Sequence, residues 1–404
     1  MIAYFRIQEN RIIMTYVIKC VYYIIVKGML DNMKKEKRGY YLYCENYGSD
    51  GVKKKIQMQL GTLSESIDIS LIQIKDIKVN LIVRIINLLP WRSFPREYDK
   101  ALEKMDTPDF VYIRRMFVDR DFLRFLQKIK KKWNDCRIII EIPVYPYKKD
   151  MLSNMYTVFQ YVKELILRKQ YKKYVDRFVT YSNDEEICGV KTIRTMNGVN
   201  VDSIRVNCED GVYAPNSVNL IAVATFIAHH GYERIIKGLY KYYQNGGKRQ
   251  FKIHLVGDGP EKKKYEKLVS KYKLNKHVIF HGYKFGEELD KLYDTADAGL
   301  VSFGSYKENV ERLCTIKTRE YLAKGLPVIM GGMDDLFENG NGEYALCLSN
   351  NPSPVDFEEI GEFLDSVYLF SSKKEIIEHI RNFAKNNVDN SITLKPIVEY
   401  ILCE

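Results

Sequence analysis

Charged and hydroxyl-bearing side chains concentrate between residues 311 and 320, where an apolar pattern indicates that a helix begins. The hydroxyl of Thr315 would cap this helix, and Lys317, Glu320 and Lys324 would then lie along one of its faces. A carboxylate in such a place can accept two hydrogen bonds from a ribose, while the helix N-terminus binds a phosphate. The same spacing also suits a stabilising Lys–Glu pair on a solvated surface.

Two other strand-to-helix turns carry residues suited to binding an anion. The Gly-Asp-Gly turn at 257–259 resembles a phosphate-binding turn, but it lacks the spacing of a dinucleotide or P-loop motif and fits a plain tight turn equally well. The second turn contains His229 and His230, which also suit packing at a strand end. Arg234 falls in the first turn of the helix that follows, where a cation is unfavourable unless an anion lies beside it. We predict that Arg234 contacts an anion, and a solvated surface arginine is the alternative.

The composition is typical of a globular protein with two domains. The chain has 404 residues, which exceeds the length that a single hydrophobic core usually supports. Of these residues, 46% are hydrophobic. The eight cysteines form no C-x-x-C pair, and no histidine cluster has the spacing of metal ligands. We therefore expect no zinc site, no metal cofactor, no disulfide framework and a reducing cytoplasmic location.

Basic residues exceed acidic ones, which gives a formal net charge of +11 and an isoelectric point near 9.0. The lysines and arginines gather in short runs at residues 34–38, 53–55, 128–132 and 168–173. Such runs attract anionic lipid headgroups, acidic ligands or nucleic acid. No RNA-recognition, zinc-finger or helix-turn-helix pattern accompanies them. We therefore expect no nucleic-acid partner, but peripheral contact with the anionic inner face of the plasma membrane.

The first 37 residues differ in character from the rest. Residues 11–30 are apolar but interrupted by Lys19 and Lys27, too charged for a clean membrane-spanning helix, and no small-residue cleavage site marks a signal peptide. The segment fits a membrane-interface element with Tyr and Lys at headgroup level, so deleting residues 1–28 would release the protein from membranes. It equally fits an ordinary packed strand or helix, or a start codon assigned too far upstream.

From Gly39 onward, apolar runs alternate with helical patterns, which is typical of parallel sheets covered by helices. The first series comprises GYYLYC, VNLIVRIINLL, DFVYIRR, RIIIEIPVYP and RFVTYS. After an Asn-Gly turn at 197–198, the second comprises LIAVATFI, FKIHLVGDGP, HVIFHGY, AGLVSF and LPVIMGG. We predict an N-terminal domain at 38–205, a C-terminal domain at 206–385 and a final helical segment at 386–404 that could pack on either. Ligands are expected beyond the carboxyl ends of the strands.

The joint order of these motifs resembles one protein family. HHGYERI after a strand, LVGDGP, VIFHG and KTREYLAKGLPVI follow one another as in the donor half of the group 1 (family four) glycosyltransferases. The N-terminal half, with YGSDGVKKKI, FVYIRR, EIPVYPY and residues 181–202, is similar to bacterial polysaccharide-assembly members of that group. The resemblance implies the GT-B fold, an α/β architecture of two Rossmann-like doubly wound parallel-sheet domains facing a cleft.

The resemblance also implies roles for residues on the donor side. Family members carry two glutamates eight positions apart, and the second, which binds the nucleotide ribose, falls on Glu320. The first, which contacts the donor sugar, falls on Arg312. Either the adjacent Glu311 replaces it, or Arg312 binds the sugar together with the backbone of the next three residues, which are Leu313, Cys314 and Thr315.

Two basic positions of the family are changed as well. The lysine that binds the diphosphate falls on His230, which precedes Gly231, and an upstream arginine falls on Thr225. Arg234 and Lys317 would then have to supply the positive charge beside the donor phosphates.

The acceptor is expected to bind in the N-terminal domain. Gly51, in the first loop, would let the backbone approach the donor phosphates and the acceptor, as in the family. Arg114 and Glu141 end apolar runs and are expected to face the cleft, with Tyr145 nearby. They would bind the acceptor there, or else form structural pairs.

The function implied by the resemblance is retaining transfer of a sugar from a nucleotide-diphosphate donor to a hydroxyl of a growing, lipid-linked glycan in capsular or other surface polysaccharide synthesis. Such enzymes need no metal and no protein nucleophile, and the sequence has no Ser-His-Asp arrangement. Two alternatives fit as well. One is a GT-B sugar-nucleotide epimerase or hydrolase, and the other is a catalytically silent sugar-binding partner, because of the changes at Thr225, His230 and Arg312.

Overall fold

The computed structural model describes residues 37–44, 50–152, 155–207, 212–308, 310–340, 342–369 and 371–403. They form two compact units. One consists of the described residues up to Thr195 together with those from Leu394 onward, and the other runs from Met196 to Thr393. The hypothesis of a membrane-interface element at residues 1–28 lies outside the described residues.

A seven-stranded sheet forms the centre of the first unit. Its strands are β1 (Arg38–Cys44), β2 (Asp68–Ile74), β3 (Phe110–Arg114), β4 (Arg137–Ile142), β5 (Arg177–Thr180), β6 (Glu186–Ile187) and β7 (Val190–Arg194). They lie in the order β2-β1-β3-β4-β5-β7-β6 and pair in parallel, except that β6 and β7 are antiparallel. The helices are α1 (Asp50–Ser64), α2 (Leu81–Ile86), α3 (Tyr98–Glu103), α4 (Arg120–Lys132), α5 (Lys148–Met151) and α6 (Met155–Leu167), followed by a 3-10 helix (Arg168–Lys173).

Both faces of this sheet are buried, which explains why its central strands are continuous apolar runs. Successive residues of β4 point to opposite faces, so Ile138 and Ile140 join one hydrophobic cluster while Ile139 joins the other. The second cluster also contains Ile397 and Ile401 from the last helix of the chain (Lys395–Cys403). The final helix therefore packs in the core of the first unit.

A six-stranded parallel sheet forms the centre of the second unit. Its strands are β8 (Ser217–Val223), β9 (Gln250–Val256), β10 (Val278–Gly282), β11 (Ala298–Leu300), β13 (Val328–Gly331) and β15 (Ala345–Leu348), in the order β10-β9-β8-β11-β13-β15. The short strands β12 (Arg312–Leu313) and β14 (Met333–Asp334) pair beside it. The helices are α7 (Glu233–Gln244), α8 (Lys262–Lys271), α9 (Gly286–Asp294), α10 (Ile316–Ala323), α11 (Phe357–Tyr368), α12 (Lys373–Asn387) and α13 (Asn390–Thr393), so the last helix of the chain is α14.

One predicted strand is wrong. The run VNLIVRIINLL forms helix α2, whose N-cap Asn80 accepts a hydrogen bond from the backbone N–H of Val83 at 2.9 Å. The strand of this part of the chain is instead β2, which lies at the sheet edge and buries only some of its side chains. Apolar content without alternation does not distinguish a strand from a short helix, and the asparagine cap decided the outcome.

Candidate functional site

Two loops meet at the carboxyl end of the sheet in the second unit. After β8 the chain makes a 3-10 turn at 228–230, and the carbonyls of its two histidines accept hydrogen bonds from the N–H groups of Phe303 and Gly304, at 2.8 and 3.0 Å. Gly231 follows with φ of +59°, and a Cβ at this position would lie 2.5 Å from the nitrogen of Gly304. Glycine is required here, because the approach of the two loops leaves no room for a side chain.

Helix α10 lies at the same edge of the sheet. Its N-cap is Thr315, whose hydroxyl accepts a hydrogen bond from the N–H of Thr318 at 3.2 Å, which confirms the predicted cap. The hydroxyl of Tyr321 accepts a hydrogen bond from the N–H of Val223 at 2.9 Å. This bond fixes the helix beside the carboxyl end of β8.

Lys317 stands in the first turn of α10 and donates a hydrogen bond to the carbonyl of Val301 at 3.1 Å. Burial lowers the pKa of Lys317 to about 7, although Glu320, one turn further on, favours the charged form. Lys324, expected in the same row, instead caps the helix C-terminus and pairs with Asp290 at 3.2 Å. The first-turn lysine is therefore poised between its charged and neutral forms near neutral pH.

His230 lies close enough to Lys317 for their charges to interact. Burial, followed by Lys317 and His229, lowers the pKa of His230 to about 3, so its imidazole is neutral. The ring stacks on that of Tyr232, with the centroids 5.6 Å apart. His230 therefore supplies no positive charge for a diphosphate, and Thr225, at the other changed position, is exposed.

The guanidinium of Arg234 is held by backbone carbonyls. The side chain is buried and donates to the backbone carbonyls of Ser353, Phe303 and Ser349, at 2.7, 3.0 and 3.0 Å. These carbonyl dipoles take the place predicted for an anion and compensate the cation in the first turn of the helix. Arg234 thus ties the loop after β15 to the end of β11.

Glu233, the first residue of α7, pairs with two lysines that were not predicted from the sequence. Its carboxylate accepts hydrogen bonds from Lys307 and from Lys264, the latter at 3.2 Å. Lys307 also donates to the carbonyl of Ala228 at 3.0 Å. The sequence signal for this contact was Lys307, which stands shortly after the Gly-Ser pair that follows the AGLVSF run. These contacts link the turn after β8 to the start of α7.

The chain entering α10 is held by its own pairings. Arg312 donates from Nε to the carboxylate of Glu338 at 2.7 Å. The carbonyls of Leu313 and Cys314 accept hydrogen bonds within the unit at 2.9 and 2.6 Å, and Glu311 is exposed. The carbonyl of Thr315 accepts from Arg319 at 3.2 Å, so all three carbonyls of this stretch are already engaged.

A buried cluster of charged residues, which was also not predicted from the sequence, anchors α10. Arg319 is fully buried and pairs with Asp334 at 2.6 Å and with Asp335. Its Nε donates to the carbonyl of Asn197 at 3.1 Å, and the hydroxyl of Thr318 donates to Asp334 at 3.0 Å. The tandem aspartates after MGGM were the sequence signal. Because both carboxylates are buried, losing the guanidinium would leave uncompensated charge.

In the first unit, Arg114 and Glu141 form a structural pair. Glu141 is fully buried and accepts hydrogen bonds from Arg114 at 3.0 Å, Tyr181 at 2.7 Å and Tyr41 at 3.0 Å. Burial alone would raise the pKa of Glu141, but Arg114, Lys55 and the two hydroxyls bring it to about 2. The carboxylate is ionised and its oxygens are occupied, so it is unsuited to accepting a proton near neutral pH.

The two remaining predicted residues of this unit occupy different surroundings. The ring of Tyr145 packs edge-on against Tyr147, with the centroids 5.6 Å apart. Gly51 lies in the first turn of α1, not in the preceding loop where it was expected, because the helix begins at Asp50.

Neither a metal cluster nor a membrane span is found in the described ranges. Within them, no three His, Cys, Asp or Glu side chains are placed so that they could hold a metal ion. None of the helices in this part of the chain has the length and apolar character needed to cross a bilayer.

Comparison with known proteins agrees with this architecture. Residues 214–359 match the family model for glycosyl transferases group 1. Similar solved structures include a glycosyltransferase from Rickettsia africae, at 15% identity and a TM-score of 0.56, covering 91% of this chain and 100% of that one. HepE from Anabaena, solved in complex with UDP, is 13% identical with a TM-score of 0.56, covering 90% and 99%. No curated protein sequence matches significantly.

Sucrose-phosphate synthase from Thermosynechococcus elongatus is similar to the same extent, at 14% identity and a TM-score of 0.56, covering 90% of this chain and 99% of that one. Two Rossmann-like units with these structural neighbours define the GT-B fold. The chain has this fold, and the group 1 match lies within its second unit.

Proposed function

We propose that the protein is a retaining glycosyltransferase that uses a nucleotide-diphosphate sugar as donor. The acceptor is a hydroxyl of a growing, lipid-linked glycan, and the setting is bacterial surface polysaccharide assembly, such as capsule, at the inner face of the plasma membrane. One observation carries the donor side of this proposal. Lys317, in the first turn of the capped helix α10, donates to the carbonyl of Val301 near the point where the loops after β8 and β11 meet, and Glu320 follows one turn later in the helix. The UDP complex of HepE supports a nucleotide donor, and retention rests on the resemblance to group 1 enzymes.

The residues at this edge match the parts of such a donor. Glu320 accepts hydrogen bonds from the ribose hydroxyls, while the backbone N–H groups at the start of α10 and the ammonium of Lys317 bind the phosphates. The β8 turn lies at the same edge, and Gly231 lets it pack directly against the loop after β11. No metal ion is needed in this arrangement.

The proposed reaction exchanges one glycosidic bond for another. The acceptor oxygen forms a bond to the anomeric carbon on the face from which the diphosphate departs, and the bond from that carbon to the phosphate oxygen breaks. A phosphate oxygen takes the acceptor proton, so no protein nucleophile is required. Lys317 and the α10 N–H groups stabilise the negative charge that develops on the leaving nucleoside diphosphate.

A silent sugar-binding partner is the second candidate, and two observations favour it. His230 is neutral where the family has a phosphate-binding lysine, and Arg312 is paired with Glu338 where the family has a sugar-binding glutamate. An enzyme and a silent partner differ in turnover, because only the enzyme releases nucleoside diphosphate from its donor.

Calorimetric titration with UDP and with GDP tests the donor site. We expect one nucleotide to bind and Glu320→Ala to weaken that binding about tenfold or more, because the ribose loses its carboxylate partner. Glu378→Ala, on an exposed face of α12 in the same unit, is the matched control and should bind as the wild type does.

The outcomes separate the candidates. Equal affinity in Glu320→Ala would remove this residue from the ribose role, and binding of neither nucleotide would favour the silent partner. Sugar-dependent release of nucleotide in the absence of any acceptor would identify a hydrolase.

A further inference from the structure

The first unit has an apolar outer surface that its own core does not explain. It consists of residues 79–91, which include α2, together with Met155, Val162 and Ile166 on the outward face of α6. We refer to it as the outer apolar surface. No side chain of α2 is buried, and Leu81 and Ile82 are 72% and 69% exposed. A helix of a globular protein normally buries its apolar stripe, so α2 needs another environment for these side chains.

The usual burial pattern of a helix is reversed in α6, which lies in the same region. Its inward residues include Gln160, Lys163 and Glu164, whereas Met155 and Ile166 are 72% and 59% exposed. Polar residues inside and apolar residues outside reverse the pattern of a helix that faces water. The outward face of α6 is therefore suited to an apolar medium.

Contacts between the two segments hold them side by side. Lys163 of α6 donates to the backbone carbonyls of Asn87 and Arg92, the latter at 3.0 Å. Tyr156 of α6 packs edge-on against Phe94 at 5.6 Å, and the guanidinium of Arg84 lies 5.8 Å from the centre of the Tyr156 ring. The buried polar face of α6 thus holds α2 and the following turn in place, with their apolar side chains outward.

The exposed charges of the segment that carries α2 have one sign. Residues 75–92 contain the exposed cations Lys75, Lys78, Arg84 and Arg92, and their single acidic residue pairs with Arg96 at 2.9 Å. Trp91, at the end of the segment, is 56% exposed. Exposed aliphatic side chains bordered by lysine, arginine and tryptophan are typical of elements that lie in the headgroup region of a bilayer.

We propose that the outer apolar surface docks the protein on a membrane rich in anionic phospholipid. Leu81, Ile82 and their neighbours enter the boundary between headgroups and acyl chains, and the cations around them contact lipid phosphates. A symmetric contact between two copies would bring Arg84 and its neighbouring cations face to face, which like-charge repulsion opposes. The inference rests on the proposed function in one respect, because a lipid-linked acceptor would explain why the protein docks on a membrane.

Vesicle co-sedimentation of the full chain tests the inference without any transfer assay, so its result is independent of whether the proposed reaction is right. The probes are vesicles of phosphatidylcholine alone and vesicles of phosphatidylcholine mixed with phosphatidylglycerol. We expect binding to the mixed vesicles that weakens with salt, and a loss of about tenfold or more in the double variant Leu81→Ser/Ile82→Ser. Because both side chains are exposed, the variant should fold normally, which circular dichroism checks.

Two matched controls separate the surface from general hydrophobicity and charge. Val212→Ser/Leu369→Ser removes two exposed apolar residues of the second unit and should bind vesicles as the wild type does. Lys78→Glu/Arg84→Glu should bind the mixed vesicles about tenfold less tightly, whereas Lys248→Glu/Lys263→Glu, at two exposed lysines of the second unit, should have a much smaller effect.

Three results would overturn the inference. In the first, Leu81→Ser/Ile82→Ser binds the mixed vesicles as the wild type does. In the second, only removal of residues 1–28 abolishes binding, so that the N-terminal segment is the anchor. In the third, the wild type is a dimer by light scattering and the double variant a monomer, with no vesicle binding by either. The last result would identify the surface as an interface between copies.

Discussion

Lys317 shows how the surroundings of one side chain set its chemistry. An exposed lysine is charged at all physiological pH values, but burial brings the pKa of Lys317 to about 7. In the proposed donor site this lysine would be charged mainly when a phosphate lies beside it. The charge would thus be linked to donor binding.

This linkage predicts a pH dependence of nucleotide binding. Since the pKa of Lys317 is lowered, the side chain loses its proton as the pH rises through about 7, and nucleotide affinity should then fall by up to about tenfold per pH unit. In Lys317→Arg the charge persists across this range, so affinity should change only as the nucleotide's own phosphate titrates. Calorimetry of both proteins between about pH 6 and 8.5 makes the comparison, and equal slopes would contradict the role of Lys317.

At the scale of elements, the site depends on how closely the loops after β8 and β11 approach each other. Two backbone hydrogen bonds, at 2.8 and 3.0 Å, join them, and Gly231 allows the contact. Arg234 and Glu233 brace the same region from α7. The proposed donor site is therefore built from segments that are distant in sequence and held by backbone contacts.

Substituting Gly231 by alanine should separate these loops. Its Cβ would lie 2.5 Å from the nitrogen of Gly304, so we expect nucleotide affinity to fall about tenfold or more as the loops shift. Gly246→Ala is the matched control, because Gly246 also has a positive φ, of +88°, but no atom lies within 4 Å of its added Cβ. If calorimetry finds the two variants equally affected, the backbone conformation matters and the loop contact does not.

At the scale of the whole molecule, the charge needed by a departing diphosphate is predicted to come from the chain itself. In the proposed site Lys317 and the N-terminus of α10 would supply it, so chelation with EDTA should leave nucleotide affinity unchanged. Calorimetry in EDTA and in excess Mg²⁺ checks this expectation. An affinity that falls on chelation and returns with Mg²⁺ would show that the site requires a metal ion.

The sequence by itself determined most of the fold. Continuous apolar runs such as Arg137–Ile142 indicated strands buried on both faces, and alternation with helical patterns indicated parallel sheets. The cap at Thr315 was also readable, because a cap depends on residues three apart in the chain. Helix α2 was misread and β2 was missed, since short apolar segments have no distinctive period.

Only the tertiary structure decided what the charged residues contact. Arg234 is engaged by two carbonyls more than a hundred positions away, and Glu141 by a tyrosine a hundred positions earlier. The inverted burial of α6 likewise depends on the carbonyls of another segment. Local patterns reflect backbone preference and burial, which act over a few residues. Partners of buried charges are set by the packing of distant segments, so their identity emerges only when the chain has folded.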